Sequence, residues 1–325
     1  MKKSETTENL EDKELDTTLR PKKLEEFIGQ REVVSNLSVF IKAAKKRGEP
    51  IDHILFYGPP GIGKTTLALI IGNEFNASVK ITSGPAIERT GDLASILTNL
   101  EDGDILFIDE IHRLNKTIEE IIYPAMEDFA LDIILGKGPS ARTVRIDLPK
   151  FTLIGATTKV GSLSNPLRDR FGTILKLNFY NQDDLKKIVS RSAEILGLSI
   201  DGITSEIVAK RARGTPRIAN RLLKRVRDYS EVQNKEITEP FILKTMEKLG
   251  INDMGLDLED VKYLKLIADK FNGGPVGLTT LSAALSEDTE TIEDYIEPYL
   301  LQQGLITKTT KGRYVNLERL PHALI

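Results

Sequence analysis

Residues 58–65 read Gly-Pro-Pro-Gly-Ile-Gly-Lys-Thr, and no other stretch restricts the possible folds so tightly. The run before it, His-Ile-Leu-Phe-Tyr at 53–57, suits a buried parallel strand; Thr-Leu-Ala-Leu-Ile-Ile at 66–71 suits the opening of a helix. The spacing is G-x-x-x-x-G-K-[ST], a phosphate loop in the strand–loop–helix setting it requires. Glycines let the backbone curl so that N–H groups converge on an anion, and the helix N-terminus adds partial positive charge. Lys64 is then placed to reach the β- and γ-phosphates of a nucleotide, and Thr65 to offer its hydroxyl to Mg²⁺. A Gly/Pro-rich turn with an accidental Lys-Thr is the plain alternative, and the flanking strand and helix argue against it.

A chain of 325 residues has room for two or three domains of this kind. Its net charge is only −3, so any nucleic acid has to be met by local basic loops and not by a global basic field. There is no cysteine, which excludes disulfides and thiolate zinc sites and fits a reducing, cytoplasmic compartment. His53, His112 and His322 lack metal-ligand spacing, leaving Mg²⁺ brought by a nucleotide as the expected metal. No apolar run is long enough for a bilayer and no signal peptide opens the chain, so no membrane role is expected.

Residues 1–18 are polar and acid-rich and read as a disordered tail. Apolar residues at 33, 34, 37, 40, 41 and 44 predict a helix over 33–46 before the phosphate-loop strand. Beyond that loop, 78–82 reads as a strand and 92–100 as a short helix. Asp-Ile-Leu-Phe-Ile-Asp-Glu at 104–110 is a buried strand delivering two acids at its carboxyl edge, where open α/β sheets place their ligands. Asp109 is the candidate Mg²⁺ ligand and Glu110 the candidate base for the attacking water. A helix follows at 115–128. Two β-rich runs, 131–135 and 142–148, then flank Gly-Lys-Gly-Pro-Ser and read as a hairpin with Val144, Ile146 and Leu148 on one face. That face is either covered by its own domain or docks a partner. Strand 151–158 ends in Thr157 and Thr158; a loop at 166–172 carries Arg168 and Arg170 about Asp169; and 174–180 closes the sheet. The alternation predicts an α/β P-loop fold, a mostly parallel sheet with helices on both faces.

From residue 181 the pattern is helical: 184–196, a helix capped by Thr204 and ending near Gly214, 217–229 opened by Pro216, and 239–249 capped by Thr238. Helices at 256–271, 279–285 and 291–303, then a hairpin across 309–312, spell a winged helix. Glu293, Asp294 and Glu297 near the start of its third helix would repel phosphates, so the basic hairpin is the better DNA candidate, with protein binding alone as the alternative. The expected division is a tail at 1–18, an ATPase domain at 19–180 with its hairpin 131–148, a helical lid at 181–254 and a winged-helix domain at 255–325.

Taken together, the phosphate loop, the Asp-Glu strand end, the strand-end hydroxyl, the arginine loop and a lid helix opening at Arg217 resemble the AAA+ ring ATPases. More specific strings are Ser-Gly-Pro-Ala-Ile-Glu-Arg-Thr-Gly-Asp at 83–92, Phe-Ile-Asp-Glu-Ile-His-Arg-Leu at 107–114, Tyr-Pro-Ala-Met-Glu-Asp-Phe at 123–129, Gly-Ala-Thr-Thr at 155–158 and Pro-Leu-Arg-Asp-Arg-Phe-Gly at 166–172. These resemble the bacterial AAA+ ATPases that drive branch migration of Holliday junctions, and the likeness runs from about residue 19 to the C-terminus. It implies that Leu19 and Arg20 contact ATP, with Gly61, Lys64, Thr65 and Thr66 around its phosphates and Glu127, Asp128, Phe129 and Tyr180 lining the pocket. It further implies Thr158 as γ-phosphate sensor, Arg170 as an arginine finger supplied to a neighbour, and Arg217 as second sensor. DNA contacts fall on Lys308 and Arg313, although lysine at 308 replaces the family's usual arginine fork with a point charge.

The resemblance implies an ATP-driven double-stranded DNA translocase acting at four-way junctions in recombination and repair. Its form would be a homo-hexameric ring, with a junction-binding partner docked on the hairpin and a junction resolvase in the same complex. The competing readings are a clamp-loader-like nucleotide switch, a scaffold whose ATP serves assembly only, and a DNA-binding regulator with an ATPase module. Sustained turnover stimulated by DNA of any sequence separates the motor from all three.

Overall fold

The computed structural model describes residues 17–135 and 142–320. The tail expected at 1–18 therefore lies outside the described residues up to position 16, as does the hairpin turn. The described chain divides into two units, 17–188 with 215–217, and 189–214 with 218–320.

In the first unit the chain runs through α1 (Arg31–Arg47), β1 (Ile54–Tyr57), α2 (Lys64–Phe75), β2 (Val79–Ser83), α3 (Thr90–Thr98), β3 (Ile105–Asp109) and α4 (Lys116–Glu127). The hairpin β4 (Ala130–Leu135) and β5 (Arg142–Asp147) follows, then β6 (Thr152–Thr157), α5 (Asn165–Asp169) and β7 (Thr173–Lys176). Five strands form one sheet in the order β2-β3-β6-β1-β7, every pair parallel. The sheet's middle is made of the short apolar runs seen in the sequence: Ile105–Ile108, 152–157 and 54–56 are buried throughout, as a parallel sheet covered on both faces demands. Because Tyr57 pairs with Thr157, and Ser83 with Asp109, the strand ends carrying the polar residues all open on one edge.

Local signals set the helix limits. The Asn115 side chain accepts from Ile118 N and starts α4, and Gly48 ends α1 in the left-handed region at φ 70°. Helix α1 buries Val33, Leu37, Ile41 and Ala44, the predicted stripe. Strand β7 stops at Lys176, short of the run to 180, because Leu177 leaves the ladder after one last bond to Tyr57 O.

The second unit continues with α6 (Gln182–Ile195, which spans the division), α7 (Gly202–Arg211), α8 (Pro216–Gln233) and α9 (Glu239–Lys248). Thr204 does not cap α7. Asp201 does, taking Thr204 N at 2.7 Å, while the Thr204 hydroxyl accepts from Asp201 N at 2.9 Å to complete a capping box. Thr238 stands at the N-cap of α9 but makes no side-chain cap bond. Next come α10 (Leu258–Lys265), running on as a π-helical turn through Lys270, α11 (Leu278–Leu285), and α12, built of contiguous segments Thr289–Thr291, Ile292–Ile296 and Glu297–Gln302. The antiparallel pair β8 (Ile306–Thr309) and β9 (Gly312–Val315) sets Lys308 opposite Arg313, and Val276 bridges the outer side of β9. Tyr263, Leu264, Ile267, Leu281, Ile292, Ile296 and Leu300 form the core beneath this wing. Among the described residues no helix is long and apolar enough to cross a membrane.

Candidate nucleotide site and winged-helix surface

The phosphate loop leaves β1 and turns into α2. Gly61 has φ 76°, and a Cβ there would stand 3.0 Å from Arg217 Cβ, so only glycine suits both the turn and its neighbour. Arg217 N donates to Gly61 O at 3.3 Å, which brings the predicted second sensor onto the loop. Lys64 is buried, and its ammonium donates to Gly58 O (2.8 Å) and Pro59 O (2.7 Å). Desolvation lowers its pKa to about 8; Asp109 and Glu110 pull it up, and Arg217 pushes it down. Those three groups are thus the charges that act most on Lys64. A desolvated cation held, among the described residues, by two carbonyls, on a loop before a helix N-terminus, fits the phosphates of a nucleotide. Thr65 and Thr66 occupy the first turn of α2, both half-buried.

Asp109 and Glu110 end β3 on the same edge. Asp109 Oδ1 accepts from Glu110 N at 2.9 Å, and Glu110 takes a left-handed conformation (φ 49°), uncommon away from glycine. Gly84 makes room for it, since a Cβ there would lie 2.4 Å from Glu110 O. Of the two strand-end hydroxyls, Thr157 is buried against His112 Nδ1 (3.0 Å) and Lys159 N (2.9 Å), whereas Thr158 is exposed. Tyr180 is buried at the loop and donates to Ile62 O at 3.3 Å; burial raises its pKa. Leu19 is buried and Arg20 half-buried. Among the described residues no group of three or more acids and histidines forms a ready-made metal cage.

Arg170, Glu127, Asp128 and Phe129 belong elsewhere. His53 precedes β1; its Nε2 lies 3.0 Å from Met126 O, its Nδ1 accepts from Leu153 N, and its carbonyl accepts from Thr173 N. Glu127 follows Met126 directly, and Arg170 precedes Thr173 by three residues, so both stand at the opening edge of the sheet. Phe129 packs with His53 and Phe151, ring centroids 6.3 and 5.9 Å away. The phosphate loop lies at the other edge, about 13 Å of strand away. Arg170 donates to Glu127 at 3.1 Å and to Pro166 O at 2.8 Å, with its guanidinium 4.6 Å from the centroid of Tyr123.

The hairpin's apolar face is graded. Leu148 and Leu131 lie in the core, Ile146 packs against it half-buried, and Val144 is 42% exposed. Across its outer side Arg145 pairs with Asp128 at 2.8 Å.

In the wing, Arg313 is buried, donating from Nε to Glu297 at 2.7 Å and from Nη2 to Glu293 at 2.9 Å; Tyr263 donates its hydroxyl to the same Glu297. Lys308 is exposed and bonded to Glu293 at 2.5 Å. Two of the three acids expected to repel DNA, Glu293 and Glu297, are therefore neutralised by the wing itself. Sequence reasoning missed this because charges are paired by a turn of the fold and not by chain spacing. Exposed Lys311 stands beside them.

A parallel sheet in this strand order, with a phosphate loop after β1 and paired acids after β3, defines a P-loop ATPase of the AAA+ class. Sequence profiles describe the next level: Holliday junction DNA helicase RuvB P-loop domain over residues 19–177, RuvB AAA lid domain over 180–252, and RuvB C-terminal winged helix domain over 253–318. The chain belongs to the RuvB family, ATP-driven motors of Holliday-junction branch migration. The Thermotoga maritima RuvB branch migration motor is 51% identical with TM-score 0.84, covering 93% of this chain and 96% of that one. A single-site Thermotoga RuvB variant is 51% identical at TM-score 0.85, over 92% and 96% of the two chains. Aeropyrum pernix ORC2, at 16% identity, TM-score 0.53 and coverage of 91% and 93%, shares the fold alone.

Proposed function

We propose that this chain works as a hexameric ring in the cytoplasm. Each ATP is bound by one subunit and completed by the next, and turnover drives a four-way DNA junction through branch migration during recombination and repair. The observation that carries the reading is the separation of the two edges. Lys64, Asp109, Glu110 and Arg217 gather at the closing edge of the sheet, while Arg170 and Glu127–Phe129 stand at the opening edge, away from the chain's own phosphate loop, which supports their serving a neighbour's nucleotide.

At the closing edge, Lys64 exchanges its carbonyl partners for the β- and γ-phosphates, and Gly61, Thr65 and Thr66 surround them. Mg²⁺ held through Thr65 and Asp109 supplies charge neutralisation when bound. Glu110 takes the proton of the attacking water, Thr158 offers its exposed hydroxyl toward the γ-phosphate, and Leu19, Arg20 and Tyr180 flank the rest of the nucleotide. Arg217 opens α8, so a change at the phosphates reaches the lid through that helix. Arg170 enters from the next subunit, and Glu127, Asp128 and Phe129 line the pocket from the same side. Phosphate contacts by the wing carry no sequence information, which suits a motor that crosses any duplex. Lys308 serves as such a contact, and Arg313 acts there by holding the wing's shape. A RuvA-type junction-binding protein docks on the hairpin at Val144, and a junction resolvase shares the complex.

The test is strand exchange on a synthetic four-way junction with ATP, with and without the partner, alongside native mass measurement. A ring that moves the junction only with hydrolysable ATP is expected. A monomer in the presence of nucleotide and duplex, or ATP turnover that leaves the junction unmoved with the partner present, overturns the reading.

A further inference from the structure

Helix α4 turns one face to the loop that carries Arg170. Glu119, Tyr123 and Glu127 follow at intervals of four, so they stack along that face. Glu119 is buried, Tyr123 half-buried and Glu127 exposed. The Tyr123 ring lies 4.6 Å from the Arg170 guanidinium, and the Glu127 carboxylate accepts from it at 3.1 Å. The Tyr123 hydroxyl lies 2.9 Å from Ser164 Oγ and 3.3 Å from Glu119. Ser164 caps α5, taking Leu167 N, and α5 is the short helix that ends one residue before Arg170. One side chain therefore touches both the head of Arg170 and the start of the helix that bears it. The guanidinium is not fully satisfied either: its Nε is buried with no hydrogen-bond partner among the described residues.

We propose that Tyr123 is the positioning residue of the Arg170 finger. Its ring supports the guanidinium from below by cation–π attraction, and its hydroxyl fixes α5 through Ser164, leaving Glu127 as the exposed carboxylate that a neighbour's γ-phosphate displaces. A planar cation resting on a ring keeps its edge donors free, so the finger is aimed without being fully bonded. The inference rests on the trans role of Arg170 given above.

Mixed-ring ATPase measurements test it. Mixing Lys64→Ala with Arg170→Ala protein restores turnover if the finger acts across the seam, because one mixed interface is then intact. Absence of recovery in that control strikes down the trans reading and the Tyr123 proposal together. With the control passed, Tyr123→Leu is expected to lower kcat about tenfold with the nucleotide KM within about twofold. It is expected to regain activity when mixed with Lys64→Ala and to gain none with Arg170→Ala. The reverse pattern, or full turnover by Tyr123→Leu, overturns the proposal while leaving the finger intact. Should Tyr123→Leu fail to fold, Tyr123→Phe keeps the volume and the ring but loses the Ser164 contact. It is expected to show a smaller fall in kcat, about threefold, with the same complementation pattern; unchanged kcat, or complementation of Arg170→Ala, counts against it.

Discussion

Arg170 in the ATPase unit and Arg313 in the wing are both held by glutamates, yet they are held differently. The partner of Arg170 is an exposed carboxylate, 56% accessible at its side chain, and the rest of its support is a ring face and one carbonyl. Arg313 is 8% accessible and bonded to Glu297, itself 2% accessible, with the Tyr263 hydroxyl on the same carboxylate. An exposed pair contributes little and exchanges readily, whereas a buried carboxylate stripped of its partner is left charged in a poorly solvated place. The first cation is available to a ligand and the second is part of the wing's frame. Lys64 belongs with Arg170: its partners are the neutral carbonyls of Gly58 and Pro59, which a phosphate replaces without leaving a buried charge. Whether the partner would be left behind as a buried charge, more than how exposed the cation is, distinguishes a working charge from a structural one.

The comparison is broken most directly by deleting one cation of each kind. Lys64→Ala is expected to lower ATP turnover by about 10²–10³-fold while the chain stays folded, as steady-state hydrolysis and a circular-dichroism melt would show. Undiminished turnover removes the phosphate loop from the reaction. Arg313→Ala is expected to cost the winged-helix unit about 3–5 kcal/mol, because Glu297 is orphaned, and Lys308→Ala less than about 1 kcal/mol. Denaturant titration followed on the second unit reads both. An Arg313→Ala protein that melts like the parent but no longer holds DNA would make Arg313 a contact residue despite its burial.

The same distinction explains what was legible in the sequence. Strands β1, β3 and β6 are visible as short, mostly apolar runs, because a strand buried on both faces admits a polar side chain only where it is hydrogen-bonded, as Thr152 is to Ile51 O. The loop chemistry at 58–65 fixed the edge where phosphates bind, since its glycines answer to local backbone geometry. Helix α12 was visible as one helix, but its π-helical turn at 292–296 was not, because no residue type marks a widened turn. Asp201 and Thr204 belong to one capping box, and propensity alone does not tell which of the two is the cap. The pairings Arg313–Glu297, Arg170–Glu127 and Tyr123–Ser164 join residues 16, 43 and 41 positions apart, and only the packed fold brings them together. Lys308 and Arg313 looked equivalent as basic wing residues until burial separated them.

A smaller effect follows from the buried ammonium of Lys64. Its pKa is lowered to about 8, chiefly by desolvation, from an ordinary 10.5. In the nucleotide-free chain the folded state therefore holds fewer protons than the unfolded chain between those values, so stability gains from this group as pH rises through them, and its full cost is present below about 8. Phosphates reverse the balance by restoring the charged form. Nucleotide binding above about pH 8 is thus expected to take up a proton, and the affinity to fall by up to about tenfold per pH unit. Calorimetry in buffers of different ionisation enthalpy reads the proton directly. Binding without uptake at pH 9 would mean that Lys64 is already charged in the free site, and its likeness to an exchangeable cation would then rest on geometry alone.

The smallest expected effect concerns Glu293, which touches both kinds of cation at once. It bonds exposed Lys308 at 2.5 Å and the outer nitrogen of buried Arg313 at 2.9 Å. The hydrogen bond from Lys308, outweighing partial burial, keeps its pKa below the ordinary range, so it stays ionised at neutral pH. Glu293→Gln leaves Arg313 its two bonds to Glu297 and takes the nearer acid from Lys308, whose other acid, Glu297, lies 3.9 Å away, so Lys308 is more available to phosphate. Duplex affinity at low salt is expected to rise about three- to fivefold, with the salt slope steepening by about one unit as an extra phosphate is neutralised. The gain fades at high salt, and the melting temperature shifts little because the pair with Lys308 is a surface one and Arg313 keeps its bonds to Glu297. If Glu293→Gln leaves affinity and salt slope unchanged while Lys311→Ala weakens binding, the exchangeable charge of the wing is Lys311 at its turn. Lys308 then joins Arg313 on the structural side of the comparison.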